Sequence, residues 1–319
     1  MTCPVCDYPN TRPRYRMRDR FFGAAQGEFT IHRCSSCGLL FQKEEEVVER
    51  IGDFYPSGYW WKPSGKVSAL EKAYRDWVLA NDQLAFLRSV AEEPSKVRML
   101  DIGCGNGTLV AAALEAGFDA YGLEQSQEAR RLAEAQAPGR IFSQDEKALI
   151  EAGQSFDLVT LFHTLEHLPQ PFSYLRNLKK LMRPPGKLIV QVPNTGSLQA
   201  RLMGSRWYGL DCPRHLYNYN PYNLMHLLGR AGYRVHRLRH FSLRDNAAAL
   251  ASSLFPFLDP MSQRVRKLRR GGRADAFSLA LREALYFPIL VALQPWAWLE
   301  AKLGRGATLT VYATVGEKI

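Results

Sequence analysis

Four cysteines stand in two C-x-x-C pairs, Cys3/Cys6 and Cys34/Cys37. Two such pairs separated by a short segment are the spacing of a four-thiolate zinc site. With all four positions taken by sulfur, no place is left for water, so the metal would be structural. It would fold a ribbon over residues 1–43 that could not otherwise bury enough core. Paired disulfides are the other reading. They need an oxidising compartment, and the Met-Thr-Cys-Pro start shows no basic stretch before an apolar run, which predicts a cytoplasmic chain. A second constellation is Met99 to Gly107, where an apolar run ends in Asp101 and then Gly103, Gly105 and Gly107 alternate. That pattern is a strand entering a tight turn against which a ligand lies on bare backbone. A dinucleotide G-x-G-x-x-G would need glycine at 108, where Thr108 stands. A third is His163-Thr164-Leu165-Glu166-His167-Leu168, with His163 and His167 at helical spacing, and a fourth is the polar, aromatic loop Trp207 to Tyr217. In that loop His215 suits a general base, because imidazole titrates near neutrality, and Arg214 suits a substrate phosphate or carboxylate. A loop-ordering hydrogen bond is the alternative for His215.

These residues need elements to hold them. From Val97 onward, apolar runs and amphipathic stretches alternate, which predicts a parallel sheet covered on both faces. The expected strands are 97–101, 118–123, 139–143, 156–162, 187–192, 233–238 and a final 307–315. Helices are expected near 106–116, 126–136, 171–182 and 221–231. Glu124 ends the second strand, about 20 residues beyond the glycine turn, where a nucleoside's ribose hydroxyls need an acidic acceptor. Residues 67–92 read as an amphipathic helix, either a lid or core packing.

The D-x-G-x-G-x-G form with Glu124 resembles motif I of the class I S-adenosylmethionine (SAM) methyltransferases. The resemblance covers about 97–240 and the last strand. It implies an α/β, Rossmann-like seven-stranded sheet, with a small N-terminal zinc ribbon and a helical insertion before the last strand. It also implies SAM held by Asp101, Gly103, Cys104, Gly105, Gly107, Glu124, Gln125, Asp145, Phe162 and His163. The segment after the fourth strand resembles one that, in quinone-pathway O-methyltransferases, places two carboxylates and a histidine on a divalent metal. Here His163 takes the first carboxylate position, while Glu166 and His167 match. His163, Glu166, His167 and His215 are therefore the catalytic candidates. The W…D-x-P-R-H-L arrangement resembles bacterial methyltransferases of sugar, polysaccharide or lipid-linked metabolites.

The division expected is a ribbon (1–43), a linker and helical lid (44–96), the SAM-binding core (97–241), an insertion (242–304) and the final strand (305–319). The net charge of +11 suggests an anionic partner. Within the insertion, Arg264, Arg266, Lys267, Arg269, Arg270 and Arg273 precede a Trp-rich apolar stretch, so 264–299 suits peripheral contact with an anionic membrane or, alternatively, a packed helical hairpin. The leading expectation is transfer to a small-molecule, sugar or lipid/glycan-linked acceptor. The alternative is an RNA methyltransferase that uses the ribbon and positive surface. The spacing does not choose between O-, N- and C-methylation.

Overall fold

The structure, a computed structural model, describes residues 1–55, 69–269 and 276–316. Residues 56–61 of the aromatic stretch, positions 67 and 68 of the expected helix, Arg270, Arg273 and the last three residues lie outside the described residues. The strands are β1 (Thr11–Met17), β2 (Phe29–Cys34), β3 (Leu40–Phe41), β4 (Arg98–Ile102), β5 (Asp119–Leu123), β6 (Ile141–Phe142), β7 (Phe156–Phe162), β8 (Met182–Pro193), β9 (Tyr217–Asn218), β10 (Tyr233–Arg239) and β11 (Thr308–Val315).

Seven of these form one sheet in the order β6-β5-β4-β7-β8-β11-β10, with β11 antiparallel to both neighbours. The central strands are apolar on both faces, as a covered parallel sheet requires. Leu158 joins Met99 and Ile189 on one side, while Val159 and Leu161 join Leu100, Leu188 and Val190 on the other. Strand order reverses between β4 and β7, and the crevice beyond their carboxyl ends is where such sheets bind ligands. The surrounding helices start where their caps dictate. Ser126 accepts from Ala129 N at the head of Gln127–Gln136, and Asn220 and Asn223 cap Pro221–Arg230 reciprocally.

The expected 67–92 helix is broken into Ala69–Asn81 and Gln83–Arg88. At the break Asp82 is buried and accepts from Arg239 Nη2 (2.5 Å) and Ser242 Oγ (2.7 Å). Leu84, Phe86 and Leu87 pack with Met99 and Ile189, so this second piece is core and not a lid. In the insertion the hairpin gives way to three helices, Asp245–Leu254, Pro260–Arg269 and Ala276–Lys302, the last a single element of 27 residues.

The N-terminal ribbon does not stand apart. Strand β9 extends its sheet by pairing with β3, and Cys3, Val5, Ile31 and Leu39 share one apolar cluster with Leu100, Val190 and Leu224. Gln42 Nε2 donates to the carbonyls of Pro213 (2.9 Å) and His215 (2.8 Å). Arg214, expected at the substrate, is instead fully buried beneath this seam. Its guanidinium donates to Asp19 of the ribbon (2.9 and 3.0 Å), to Asp211 (2.6 to 3.1 Å) and to Phe54 O (3.3 Å). No donor is left for a substrate anion, and that expectation is withdrawn. The two carboxylates hold Arg214 charged, and its charge keeps both of them below the usual carboxylate range despite burial.

Removing one partner from this bridge strands a buried charge, whereas exchanging all three for apolar side chains does not. Asp19→Ala is therefore expected to destabilise the fold by about 3–5 kcal/mol. The measurement is a urea midpoint, and a shift under about 1 kcal/mol would show the bridge to be dispensable.

Candidate active site

Gly103, Gly105 and Gly107 have φ of 72°, 56° and 81°, in the left-handed region that favours glycine. A Cβ on Gly103 would meet Thr164 Oγ1 at 2.6 Å, and one on Gly107 would meet Ala133 Cα at 2.8 Å. At these two positions the protein's own packing also demands glycine, beyond the ligand approach inferred from spacing. The turn is tied to the end of β5: Gly103 N and Cys104 N donate to Leu123 O, Gly105 N donates to Glu124 Oε2 (2.9 Å), and Ser126 N donates to Oε1 (2.8 Å). Each Glu124 oxygen keeps a lone pair for a diol. Burial pushes the Glu124 carboxyl up, and the Ser126 and Gly105 donors pull it back.

On the neighbouring strand Asp101 is buried and accepts from Thr160 Oγ1 at 2.6 Å. Burial raises its pKa to about 7 against the Thr160 hydrogen bond, with the Glu124 charge adding to the rise. Neither carboxylate has an ion-pair partner within 4.0 Å among the described residues. Two buried acids beside a glycine turn fit a nucleoside that carries positive charge, as SAM does. Cys104 differs from its neighbours in the motif: its thiol packs against Gly122, so only its main chain faces the turn. Phe162 is buried at the end of β7. Gln125 is exposed, and Asp145 is exposed and caps Glu146–Glu151 through Ala148 N.

His163 follows β7 with φ of 53°, a strained conformation for a residue other than glycine. Its Nδ1 lies 3.3 Å from Glu166 Oε1 and its Nε2 lies 3.0 Å from Asp245 Oδ2. Burial alone would lower its pKa, but Asp245 and then Glu166 raise it to about 10. An imidazolium with both nitrogens donating is neither a base nor a metal ligand. His163 therefore leaves the catalytic group in which the sequence placed it, and it does not serve as a metal ligand.

His215 takes its place. The ligating atoms of Glu166, His167 and His215 lie within 4.8 Å of one another, and the two rings meet edge to face at 4.7 Å. His215 Nδ1 faces Gly209 O at 2.9 Å, and His167 Nδ1 faces Arg214 O at 2.9 Å and the Tyr55 hydroxyl at 3.0 Å. Carbonyl partners put the proton on Nδ1 and, among the described residues, leave the Nε2 lone pair free on both rings. Glu166 is fully buried and its Oε2 has no hydrogen-bond partner among the described residues. Two imidazole nitrogens and an unsatisfied carboxylate oxygen are a donor set that fits a divalent cation. Burial, reinforced by neighbouring His167, lowers His215 to about 4, so its ring is neutral.

The cysteines converge as expected. Cys3 and Cys37 sulfurs are 3.7 Å apart and those of Cys6 and Cys34 are 3.6 Å apart. A tetrahedron with Zn–S near 2.3 Å has edges of about 3.8 Å, whereas a disulfide needs about 2.05 Å, so the geometry fits zinc and not cross-links. Sequence reasoning missed Tyr55, Asp245, Asp19 and Gln42. Nothing in local spacing marks them, because each acts on a partner far along the chain.

SAM would hold Asp101 ionised, so its affinity should rise as pH is raised from about 6 to 8. Asp101→Asn should flatten that profile. Glu124→Ala should weaken binding about tenfold or more at every pH. Calorimetric titration at several pH values reads both, and unchanged affinity in Glu124→Ala would remove Glu124 from the cofactor site.

Residues 70–238 match a family model described as a methyltransferase domain. A ubiquinone biosynthesis O-methyltransferase from Cereibacter sphaeroides is 27% identical over 189 residues, covering 54% of this chain and 76% of its own length. The enzyme of that name from Coxiella burnetii is 30% identical over 156 residues, covering 47% of this chain and 63% of its own. A SAM-dependent methyltransferase structure from Archaeoglobus fulgidus aligns over 77% of this chain and 97% of its own, with 19% identity and a TM-score of 0.47. Together with the strand order and the turn between β4 and β5, the family match leads to one conclusion: the chain belongs to the methyltransferase-domain family and is a class I SAM-dependent methyltransferase.

Proposed function

We propose that this enzyme methylates a hydroxyl on a small, sugar, or lipid- or glycan-linked acceptor, and that the four-cysteine cluster binds structural zinc. The observation that carries the reading is the pair of free Nε2 lone pairs of His167 and His215 beside Glu166, beyond the carboxyl end of β7. The relatives bearing an O-methyltransferase name support oxygen as the acceptor atom, and they lend nothing to the RNA alternative.

When bound, SAM supplies a methyl group on a sulfonium, which leaves as a neutral thioether. The chain's task is to align an oxygen with that methyl and to take its proton. His215 was the first choice for that proton from sequence. A ring held near pKa 4 is a poor acceptor at neutral pH, so the role passes to His167. His167 is half-buried and reachable. As its Nε2 takes the proton, the charge is stabilised by Arg214 O, the Tyr55 oxygen and the adjacent Glu166 carboxylate. Neutral His215, whose Nδ1–H is on Gly209 O, packs edge to face against the His167 ring. If Glu166, His167 and His215 instead held a divalent cation, it would act as a Lewis acid that lowers the pKa of an acceptor hydroxyl, and His167 would then be a ligand and not the base.

His167→Ala is expected to lower kcat about 10²–10⁴-fold while SAM affinity stays within about twofold. Radiolabelled methyl transfer into cell fractions tests the acceptor class. Label in lipid, glycan or small metabolites supports the proposal, and label confined to RNA would overturn it.

A further inference from the structure

The long helix Ala276–Lys302 is apolar on two opposite sides, and the fold uses only one. Tyr286, Leu290 and Ala297 are buried and pack with Ala247 and Ala251 of the helix Asp245–Leu254. On the other side Leu285, Val291, Trp296, Trp298 and Leu299 are 41–60% exposed, and Leu303 just beyond is 63% exposed. From Leu285 to Leu299 these positions span about 21 Å at 1.5 Å per residue, an extended apolar surface and not a scatter of single residues.

Charge decides what that surface fits. Residues 251–305 hold nine basic side chains against four acidic ones. Among the described residues Lys302 and Arg305 are exposed, whereas the acids Asp259 and Glu300 are buried. Lys302 Nζ lies 5.2 Å from the centre of the Trp298 ring, a cation beside an aromatic at the helix end. Tryptophan, leucine and snorkelling lysine around an apolar face are the chemistry of the headgroup boundary of an anionic bilayer. A second copy of the chain would bring the same positive charges face to face. Among the described residues no helix is long and apolar enough to cross a membrane, so the helix would lie on the surface.

We propose that the outer face of Ala276–Lys302 docks the enzyme onto anionic lipid bilayers. The docked helix packs on the one whose first residue, Asp245, holds His163, so the membrane-facing element adjoins the active site. Docking does not depend on the acceptor being lipid-linked, and its test reads binding alone.

The experiment is co-sedimentation of the full chain with vesicles of phosphatidylcholine, either alone or with about 30% phosphatidylglycerol, at low and high salt. The double variant Trp296→Ser/Trp298→Ser runs in parallel, with its SAM affinity and melting temperature as checks on folding. The expected result is binding to the anionic vesicles that weakens with salt and falls about tenfold or more in the folded variant. Three results would overturn the proposal: no binding by the unaltered chain at low salt, equal binding by the folded variant, or a solution dimer that the same two substitutions dissolve.

Discussion

A single buried guanidinium holds together the parts that make the site. Arg214 sits between Asp19 and Asp211, and Asp19 lies 195 residues away along the chain. In the interior a charge is tolerated only while its partners stay in place. The loop that carries His215 therefore cannot shift away from the ribbon without exposing or stranding that charge. Other bonds repeat the constraint at lower strength: Gln42 donates to Pro213 and His215 carbonyls, and Asn220 donates to Cys37 O. Even Asp211 has φ of 25°, a conformation that its two oxygens on Arg214 stabilise. The ribbon thus bears on the candidate site by gripping the loop that carries His215.

The distribution of charge within the crevice follows from the same rule. Around His163 two carboxylates, those of Glu166 and Asp245, more than offset one imidazolium. Around the glycine turn Asp101 and Glu124 are both buried, and burial pushes both upward. Arg130 and Arg244 act on these acids only from a distance, so among the described residues neither acid is directly paired and the site is electrostatically incomplete. A cationic ligand completes it, and SAM is one. The nearby imidazolium does not oppose that cation, because its own carboxylates already offset its charge.

Much of this was legible in the sequence, and the reason is periodicity. A central strand buried on both faces cannot hide, so Phe156–Phe162 appears in the structure with the bounds its apolar run implied. Asp101, the three glycines and Glu124 were legible because their chemistry is local and serves one turn. Arg214 was misread because a polar loop at a sheet edge looks alike in sequence whether its charges face ligand or ribbon. The role of His163 was misread because Asp245, which saturates it, sits 82 residues away in an insertion whose pattern says only that it is helical. The break at Asp82 escaped notice for a similar reason. Its partners Arg239 and Ser242 become neighbours only once β10 is in the sheet.

The two misreadings share a geometric origin that explains why the catalytic cluster lies where it does. One chain of polar contacts runs from Arg239 through Asp82, Ser242 and Asp245 to His163 and ends on Glu166. Another runs from Asp19 through Arg214, whose carbonyl accepts from His167. The first belongs to the insertion and the core helices, the second to the ribbon. They meet at Glu166 and His167, adjacent residues on the short turn after β7. Such networks are stiff only when every member is satisfied. Among the described residues Arg239 Nε and Glu166 Oε2 are left without a partner, and Glu166 Oε2 is the one at the junction of both networks, beside His167 and His215. A buried acceptor that the protein's own networks bypass is available to bind something from outside, and that is the physical basis of the proposal that the acceptor chemistry lies at this junction.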